Sequence, residues 1–170
     1  PGGMRARVRG IEIHGAPVDM ARAGERTAVN LSGSGIDKAN LHRGQTLVAP
    51  ATLKTTRKLE VALTLAAAAK PLRNRSRVHL HVLTAEVVAE VVLHAAPELK
   101  PGAKAFAQLR IAAEHEALLV IPGDRFILRQ FSPVITIGGG TVIDPHPLHK
   151  RLSGPALADF LARSHAPPGL

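Results

Sequence analysis

The stretch F-I-L-R-Q-F-S-P-V-I-T-I-G-G-G-T-V-I-D-P, residues 126–145, decides the fold expected of this chain. Three apolar runs make up half of it: 126–128, 134–137 and 141–143. A phosphate-binding loop needs Lys-Ser/Thr and a helix N-terminus after its glycines. Here β-branched residues follow the triple glycine, and Pro145 and Pro147 block a helix. The stretch therefore predicts strands, with the glycines marking a bulge or a close approach of another backbone.

The composition bounds the class of protein. Of 170 residues, 45% are apolar, but only four are Phe and none is Trp or Tyr, so a core must be built from Val, Leu, Ile and Ala. The absence of cysteine excludes disulfides and thiolate chemistry and permits a reducing compartment. No run has the length of a membrane span, and no signal-peptide pattern opens the chain, so we expect no membrane partner.

The charge balance is strongly basic. Lys and Arg number 22 against 13 Asp and Glu, a net charge of +9. Such an excess favours a polyanionic partner, most simply nucleic acid, over a basic surface kept for solubility. The scarcity of aromatic residues argues against a surface on which bases stack.

Residues 1–48 contain short predicted strands separated by turns. Residues 4–13 alternate as a strand whose buried side switches at Gly10, which indicates a bulge. Further strands are predicted at 18–20, 26–31 and 45–49. These few strands predict only the back half of a β-barrel.

A longer series of alternating segments follows the short linker 49–52. Inward-facing apolar residues are predicted at Leu59, Val61, Leu63, Leu65, Val78, Leu80 and Val82. Residues 66–69 predict a strand end or a single turn because Pro71 follows. Further strands are predicted at 85–93, 106–111 and 118–121, with a loop at 97–102. This number of strands predicts one complete, six-stranded antiparallel barrel over 49–147.

The last residues differ in character. Residues 153–155 favour a helix start, with Leu157, Phe160 and Leu161 on one side of the helix. Residues 148–170 are therefore interpreted as a linker and the start of a helical region. The chain as a whole is predicted to be all-β, with a partial first barrel, a complete second one and a short helical extension.

Catalytic signatures are lacking in the sequence. Neither G-x-x-x-x-G-K-[ST] nor N-K-x-D is present, and no spacing of Ser and His suggests a triad, so we expect no catalytic residue. His79 and His81 face the same way on a predicted strand, which is a possible metal geometry. Since nothing fixes a third ligand, solvated or hydrogen-bonding histidines are favoured and no metal site is predicted.

A basic segment is the strongest candidate for binding. Residues 70–77 crowd four cations into one loop: Lys70, Arg73, Arg75 and Arg77. Cations at this spacing suit successive phosphates of an RNA helix, which is recognised mainly through its backbone and 2′-hydroxyls. The alternative is a solvated, self-repelling loop. We favour RNA because the whole chain has the same sign of charge.

Several motifs together resemble the selenocysteine-specific elongation factors. They are F-I-L-R-x-x-S-P-x-x-T-I-G-G-G-x-V-I-D-P, then V-R-G-I-E-I-H-G (8–15), A-G-E-R-T-A-V-N-L-S-G (23–33), L-H-R-G (41–44), K-P-L-R-N-R-S-R-V-H-L-H (70–81), T-A-E (84–86) and P-G-D-R-F-I-L-R (122–129). In their order they cover about residues 4–147. The resemblance implies translation-factor barrels, with domain II in part over 1–48 and domain III over 49–147.

What the resemblance implies goes beyond the chain itself. These factors are cytoplasmic GTPases that carry selenocysteinyl-tRNA to the ribosome and bind an mRNA hairpin through C-terminal winged helices. GTP and Mg would belong to a domain outside this chain, so the fragment itself would hold no cofactor and would not be an enzyme. Arg26 matches an arginine of the aminoacyl pocket, and the third domain contacts tRNA, which adds Arg129 and Thr136 to the basic segment as tRNA-binding residues.

Two departures and two alternatives remain. The resemblance predicts glycine where Leu83 stands and arginine where Glu90 stands. The first alternative is the same module in another translational GTPase, such as an elongation factor Tu relative. The second is an autonomous β-barrel RNA-binding domain.

Overall fold

The structure, a computed structural model, describes residues 4–147, so the helix predicted within 148–170 lies outside the described residues. All regular elements in this range are strands: β1 Arg7–Ile13, β2 Ala16–Val18, β3 Thr27–Ser32, β4 Lys58–Leu65, β5 Leu72–Arg73, β6 Arg77–Val82, β7 Ala85–Leu93, β8 Glu98–Leu99, β9 Lys104–Ile111, β10 Arg125–Arg129 and β11 Thr136–Asp144. The predicted all-β fold is confirmed. Over these residues the chain has no helix long and apolar enough to cross a membrane.

The chain divides into two compact units between Gln45 and Thr46. The first contains an antiparallel sheet of order β2-β1-β3. Its register shifts between Val8 and Gly10, which confirms the predicted bulge. Between residues 4 and 45 no side chain is fully buried. A three-stranded sheet needs a second layer to enclose a core, and these residues do not supply one.

The second unit is a closed antiparallel barrel of order β10-β11-β4-β9-β7-β6. Closure leaves no free strand edge on the ring. The seven residues predicted to face inward from β4 and β6 are at most 1% exposed. Alternation with period two thus places the Val and Leu side chains inside and the charged side chains outside.

The triple glycine lies inside β11, which runs between β10 and β4. A Cβ atom on Gly138 would lie 2.5 Å from the carbonyl oxygen of Thr64, and one on Gly140 would lie even closer to that of Ala62. The register shifts of β11 flank the glycines rather than coincide with them. Of the two interpretations, the close approach of neighbouring backbones is therefore correct.

Two predicted strands are wrong. Residues 45–49 have no regular structure, and residues 118–121 contribute only an isolated bridge between Thr56 and Leu118. Leu118 and Val120 are nevertheless buried against the barrel core. Their alternation therefore reflects burial without strand pairing, which hydrophobic spacing alone does not distinguish.

Two smaller corrections concern strand positions. The strand predicted at 18–20 is β2, at 16–18. The loop predicted at 97–102 contains β8, which pairs with β5 inside the basic segment. Pairing between segments this far apart has no local signature in the sequence.

The buried carboxylate of Glu60 contacts polar side chains elsewhere in the barrel. Glu60, on β4, is only 6% exposed. Its two oxygens contact His94 Nε2 at 2.6 Å and Gln108 Nε2 at 2.8 Å, and Gln108 Oε1 accepts a hydrogen bond from Arg110 Nε at 2.7 Å. The negative charge is thus compensated by fixed polar partners, as a buried charge requires.

The β6–β7 hairpin contains Leu83, which stands where the family pattern predicts glycine. Val82 pairs with Ala85, so Leu83 and Thr84 form a two-residue loop. Leu83 has φ of 53°, in the left-handed region, and its side chain is exposed. Glycine is the residue that this backbone conformation favours, since it has no Cβ to crowd the carbonyl oxygen.

Substitution of Gly140 by alanine tests the close approach. The added methyl group would meet the backbone of β4, which cannot yield as a side chain would, so we expect a loss of at least about 3 kcal/mol in unfolding free energy. Chemical denaturation followed by circular dichroism measures it. Gly10→Ala is the matched control, because nothing lies within 4 Å of its Cβ position. Equal effects of the two substitutions would contradict the steric explanation.

Substitution of Leu83 by glycine is expected to stabilise the barrel by about 1 kcal/mol, because it removes the left-handed strain. Thermal unfolding measures the gain. Leu83→Ala removes the same exposed side chain but keeps a Cβ at positive φ, so it should give no such gain. Stabilisation by alanine as large as by glycine would mean that loss of the exposed leucine, and not the backbone, is responsible.

Candidate nucleic-acid interface

One outer face of the barrel collects several of the predicted site residues. Leu80 and Leu128 face the core, so their neighbours His79 and Arg129 face outward. His79 pairs with Arg129 across β6 and β10, and Arg129 pairs with Thr136 across β10 and β11. We call this the β6–β10–β11 face and define it by Arg77, His79, Arg129 and Thr136.

The hairpin that joins β10 and β11 shapes one end of this face. Arg129 Nη2 donates to the carbonyl oxygen of Val134 at 3.1 Å, and the amide of Gln130 donates to that of Ile135 at 3.1 Å. The Ser132-Pro133 bond in this turn is cis. Arg129 is therefore held by its own turn while it lies on the surface between His79 and Thr136.

Apolar side chains are exposed beside these cations. Phe131, Val134 and Ile135 are each between 45% and 51% exposed. The Phe131 ring lies 4.3 Å from the ring of His79, centroid to centroid. Exposed aromatic and aliphatic groups therefore flank the cations of this face.

The basic segment has a fixed backbone and exposed side chains. Leu72 is buried, and the amides of Asn74 and Arg75 donate at 2.7 Å to the carbonyl oxygens of Pro97 and Val91. The side-chain oxygen of Asn74 accepts from the amide of Leu93 at 2.9 Å. The predicted loop is therefore a rigid corner of the barrel, and only its side chains are free to adapt.

The four cations of this segment differ in their surroundings. Arg75 forms an ion pair with Glu90 at 3.4 Å, and Arg77 forms one with Glu114 at 2.6 Å. Lys70 and Arg73 are exposed and form no ion pair with a described residue. The prediction treated all four alike, and the structure separates two paired cations from two that are available to a ligand.

Glu114 is ionised at neutral pH. Hydrogen bonding by its own backbone amide, followed by hydrogen bonding and charge from Arg77, lowers the pKa of its carboxyl below the ordinary value. Because the pKa is lowered, the pair with Arg77 persists until the pH falls well into the acidic range.

Arg26 belongs to the first compact unit. It lies between the turn at 23–25 and β3, and its side chain is exposed. The backbone amide of Arg22 is hydrogen-bonded to the carboxylate of Glu25, which closes the turn in front of Arg26. Among residues 4–147 no hydrogen bond or ion pair holds the guanidinium of Arg26, so it is free to meet an anion.

The two histidines of the predicted pair lie near one carboxylate. Nδ1 of His79 lies 3.3 Å from the Glu86 carboxylate, and Nδ1 of His81 lies 3.9 Å from it. Within the described range no three His, Asp or Glu side chains are arranged to hold a metal ion. The absence of a metal site stays a prediction.

Sequence reasoning did not predict the contact of His79 with Arg129 or the exposed Phe131. Both depend on the pairing of β6 with β10, whose paired residues are 44 to 50 positions apart along the chain. The sequence contained two weak signals. Alternation along the strand predicted that His79 faces outward, and Phe131 stands outside any apolar run.

The fold and the β6–β10–β11 face define a class of protein. It is an all-β barrel protein with a cationic outer face suited to a polyanion. The family description "selenocysteine-specific elongation factor, beta-barrel domain" matches residues 57–149. A curated selenocysteine-specific elongation factor from Desulfomicrobium baculatum is 40% identical over 146 residues, which is 85% of this chain and 22% of that relative. The chain belongs to the selenocysteine-specific elongation factor family, and the resemblance found in the motifs is confirmed.

Membership makes the chain a barrel-containing part of a translation factor of this type. It spans about a fifth of the length of the curated relative. The assignment of 1–48 and 49–147 to domains II and III stays a prediction, as do the roles of the individual site residues.

The β6–β10–β11 face is tested by single substitutions. Arg129→Ala should weaken binding to a short RNA duplex and reduce the salt slope of the binding constant by about 0.7 to 0.9, the value for one phosphate contact. Arg77→Ala should reduce the slope by less, because the Arg77 guanidinium is already paired with Glu114. Fluorescence anisotropy over a salt series measures both quantities. Lys104→Ala is the control, since Lys104 lies at the start of β9, on the far side of the ring. A loss at Lys104 equal to that at Arg129 would mean that charge alone, not the face, governs binding.

Proposed function

We propose that this chain is the tRNA-binding β-barrel part of a selenocysteine-specific elongation factor, which delivers selenocysteinyl-tRNA to the ribosome at recoded UGA codons in a GTP-dependent way. One observation carries the proposal. In a chain of this family, Arg77, His79, Arg129 and Thr136 lie on one continuous outer face. The similarity to a selenocysteine-specific elongation factor supports selenocysteine as the amino acid.

The chemistry of this face supports the proposal that it binds tRNA. Guanidinium groups bind phosphate oxygens with two parallel hydrogen bonds, and Thr136 supplies a hydroxyl for a ribose or phosphate. Lys70 and Arg73 add two exposed cations in the basic corner, which precedes β6 along the chain. A backbone-directed surface of this kind accepts an A-form helix such as a tRNA arm without reading bases.

GTP dependence is assigned to residues outside this chain. The 170 residues contain no P-loop and no guanine-reading motif. In the proposal the barrels hold the tRNA and relay the nucleotide state of a GTPase domain that binds GTP and Mg. The fragment has no catalytic role in this proposal, and the factor works in the cytoplasm, where the ribosome and an mRNA hairpin are its further partners.

Arg26 is proposed to recognise the selenocysteyl group. A selenol is an anion at neutral pH, whereas the hydroxyl of serine is neutral. An unpaired guanidinium would therefore select selenocysteine by charge and hydrogen bonding. A hydrogen bond to a charged group contributes about 1.5 to 3 kcal/mol, which corresponds to roughly ten- to a hundredfold in affinity.

The test compares selenocysteinyl-tRNA with seryl-tRNA on the same tRNA body. Binding is measured with GTP on the factor that carries this chain together with its GTPase domain. We expect a strong preference for the selenocysteinyl form, which Arg26→Ala reduces about tenfold or more. The preference should survive Arg22→Ala, which removes the same charge four residues away.

Equal binding of both tRNAs, unchanged by Arg26→Ala, would contradict the assignment of Arg26 and leave a barrel that binds tRNA generally. Failure to bind either tRNA, with intact folding, would contradict the proposed function as a whole.

A further inference from the structure

Three guanidinium groups and two carboxylates meet beside the β6–β10–β11 face. A cavity of about 320 Å³ lies there, lined by Arg77, Glu90, Arg110, Ile111, Ala112 and Glu114. Arg75 reaches the same place through its pair with Glu90. The cavity begins next to His79, because Arg77 lies two residues before it on β6 and faces the same way.

Glu90 occupies the centre of this group. It lies opposite Arg77 on β6 and opposite Arg110 on β9, and Arg75 Nη1 lies 3.4 Å from its carboxylate. Glu114 approaches Arg77 from the other side, at 2.6 Å from Nη2. Every guanidinium that enters the cavity therefore has a carboxylate as a neighbour.

The two ion pairs contribute little to folding. The side chains of Arg75 and Glu90 are 63% and 34% exposed, and those of Arg77 and Glu114 are 59% and 58% exposed. Pairs exposed to this extent are screened by solvent and add little stability. Their effect on a ligand is larger, because a carboxylate takes the same donor groups of arginine that a phosphate takes.

We propose that Glu90 and Glu114 set the strength and the salt dependence of RNA binding by occupying the guanidinium groups of Arg75 and Arg77. An RNA phosphate must then displace the carboxylate from a guanidinium before it binds. At each of these two arginines a phosphate therefore replaces a carboxylate. This proposal rests on the proposed function, since it assumes that the barrel binds an RNA backbone. Its consequence is a lower affinity and easier release than the net charge of the chain suggests.

The experiment uses the 170-residue chain and a fluorescent RNA duplex of about 12 base pairs. Anisotropy gives the dissociation constant over a salt series for the wild type, Glu90→Gln, Glu114→Gln and the double variant. We expect each single variant to tighten binding about threefold to tenfold at low salt and to steepen the salt slope by about 0.7 to 0.9, because one more arginine releases counterions to phosphate.

Glu116→Gln is the matched control. It makes the same change in net charge two residues from Glu114, and Glu116 is exposed and forms no ion pair with a described residue. We expect less than about a twofold gain in affinity from it, as for a distant and screened charge. An equal gain from Glu116→Gln and Glu114→Gln would overturn the proposal in favour of general charge.

A double-mutant cycle tests the mechanism. If Glu114 acts through Arg77, Glu114→Gln has no effect in the Arg77→Ala background. An undiminished gain there overturns the proposal. Weaker binding by Glu90→Gln or Glu114→Gln also overturns it, because the carboxylates would then hold the arginines in their binding positions.

The two proposals fail in different ways. A wild-type chain that binds the duplex, with glutamine variants that bind no more tightly, overturns this inference and leaves the proposed function intact. A wild-type chain that does not bind, and that the double variant does not restore, overturns both. Thermal unfolding of each variant confirms that folding is unchanged.

Discussion

The close approach of three backbones along β11 is the constraint on which the barrel depends. Gly138 and Gly140 lie against carbonyl oxygens of β4, and Gly139 lies against that of Phe126 on β10. Any side chain in this run would separate strands that must hydrogen-bond on both edges. Closure of the ring at this point brings β10 beside β6, and that pairing places Arg129 next to His79. The candidate interface thus depends on residues that carry no functional group.

The positions of the charged side chains say more about this surface than the net charge does. The net charge of +9 predicts attraction to a polyanion. On the barrel, however, several carboxylates lie where they neutralise particular cations: Glu90 beside Arg75, and Glu114 beside Arg77. Glu60 is different, since it is buried and fixes other polar side chains in place. These three acidic residues therefore differ in their surroundings: Glu60 is buried among polar side chains, and Glu90 and Glu114 lie at the surface beside arginines.

Much of the barrel could be predicted because alternation with period two reports burial directly. The inward residues of β4 and β6 and the bounds of β7 were predicted correctly for this reason. The same signal failed at 118–121, where Leu118 and Val120 are buried without pairing in a strand. It also missed β5 and β8, which are two residues long and exist only because they pair with each other.

The candidate site could be predicted only in part. The basic segment, Arg129 and Thr136 were found from charge and family motifs, because both are properties of short stretches of sequence. The pairing of Arg75 and Arg77 with carboxylates was not found, since it depends on strands that approach each other only in the fold. At Leu83 the sequence and the structure each contribute. The motif predicted glycine at this position, and the structure gives the physical reason, because the φ of this residue is 53°.

The sequence by itself determined the fold class, the family and the sign of the charge, because alternation, motif order and composition are local or additive properties of the chain. Only the tertiary structure decided that the glycines mark close contact, that His79 and Phe131 join the arginine face, and that two of the four cations in the basic segment are already paired. The physical reason is that register and strand order set each of these contacts, and neither is encoded within any single segment.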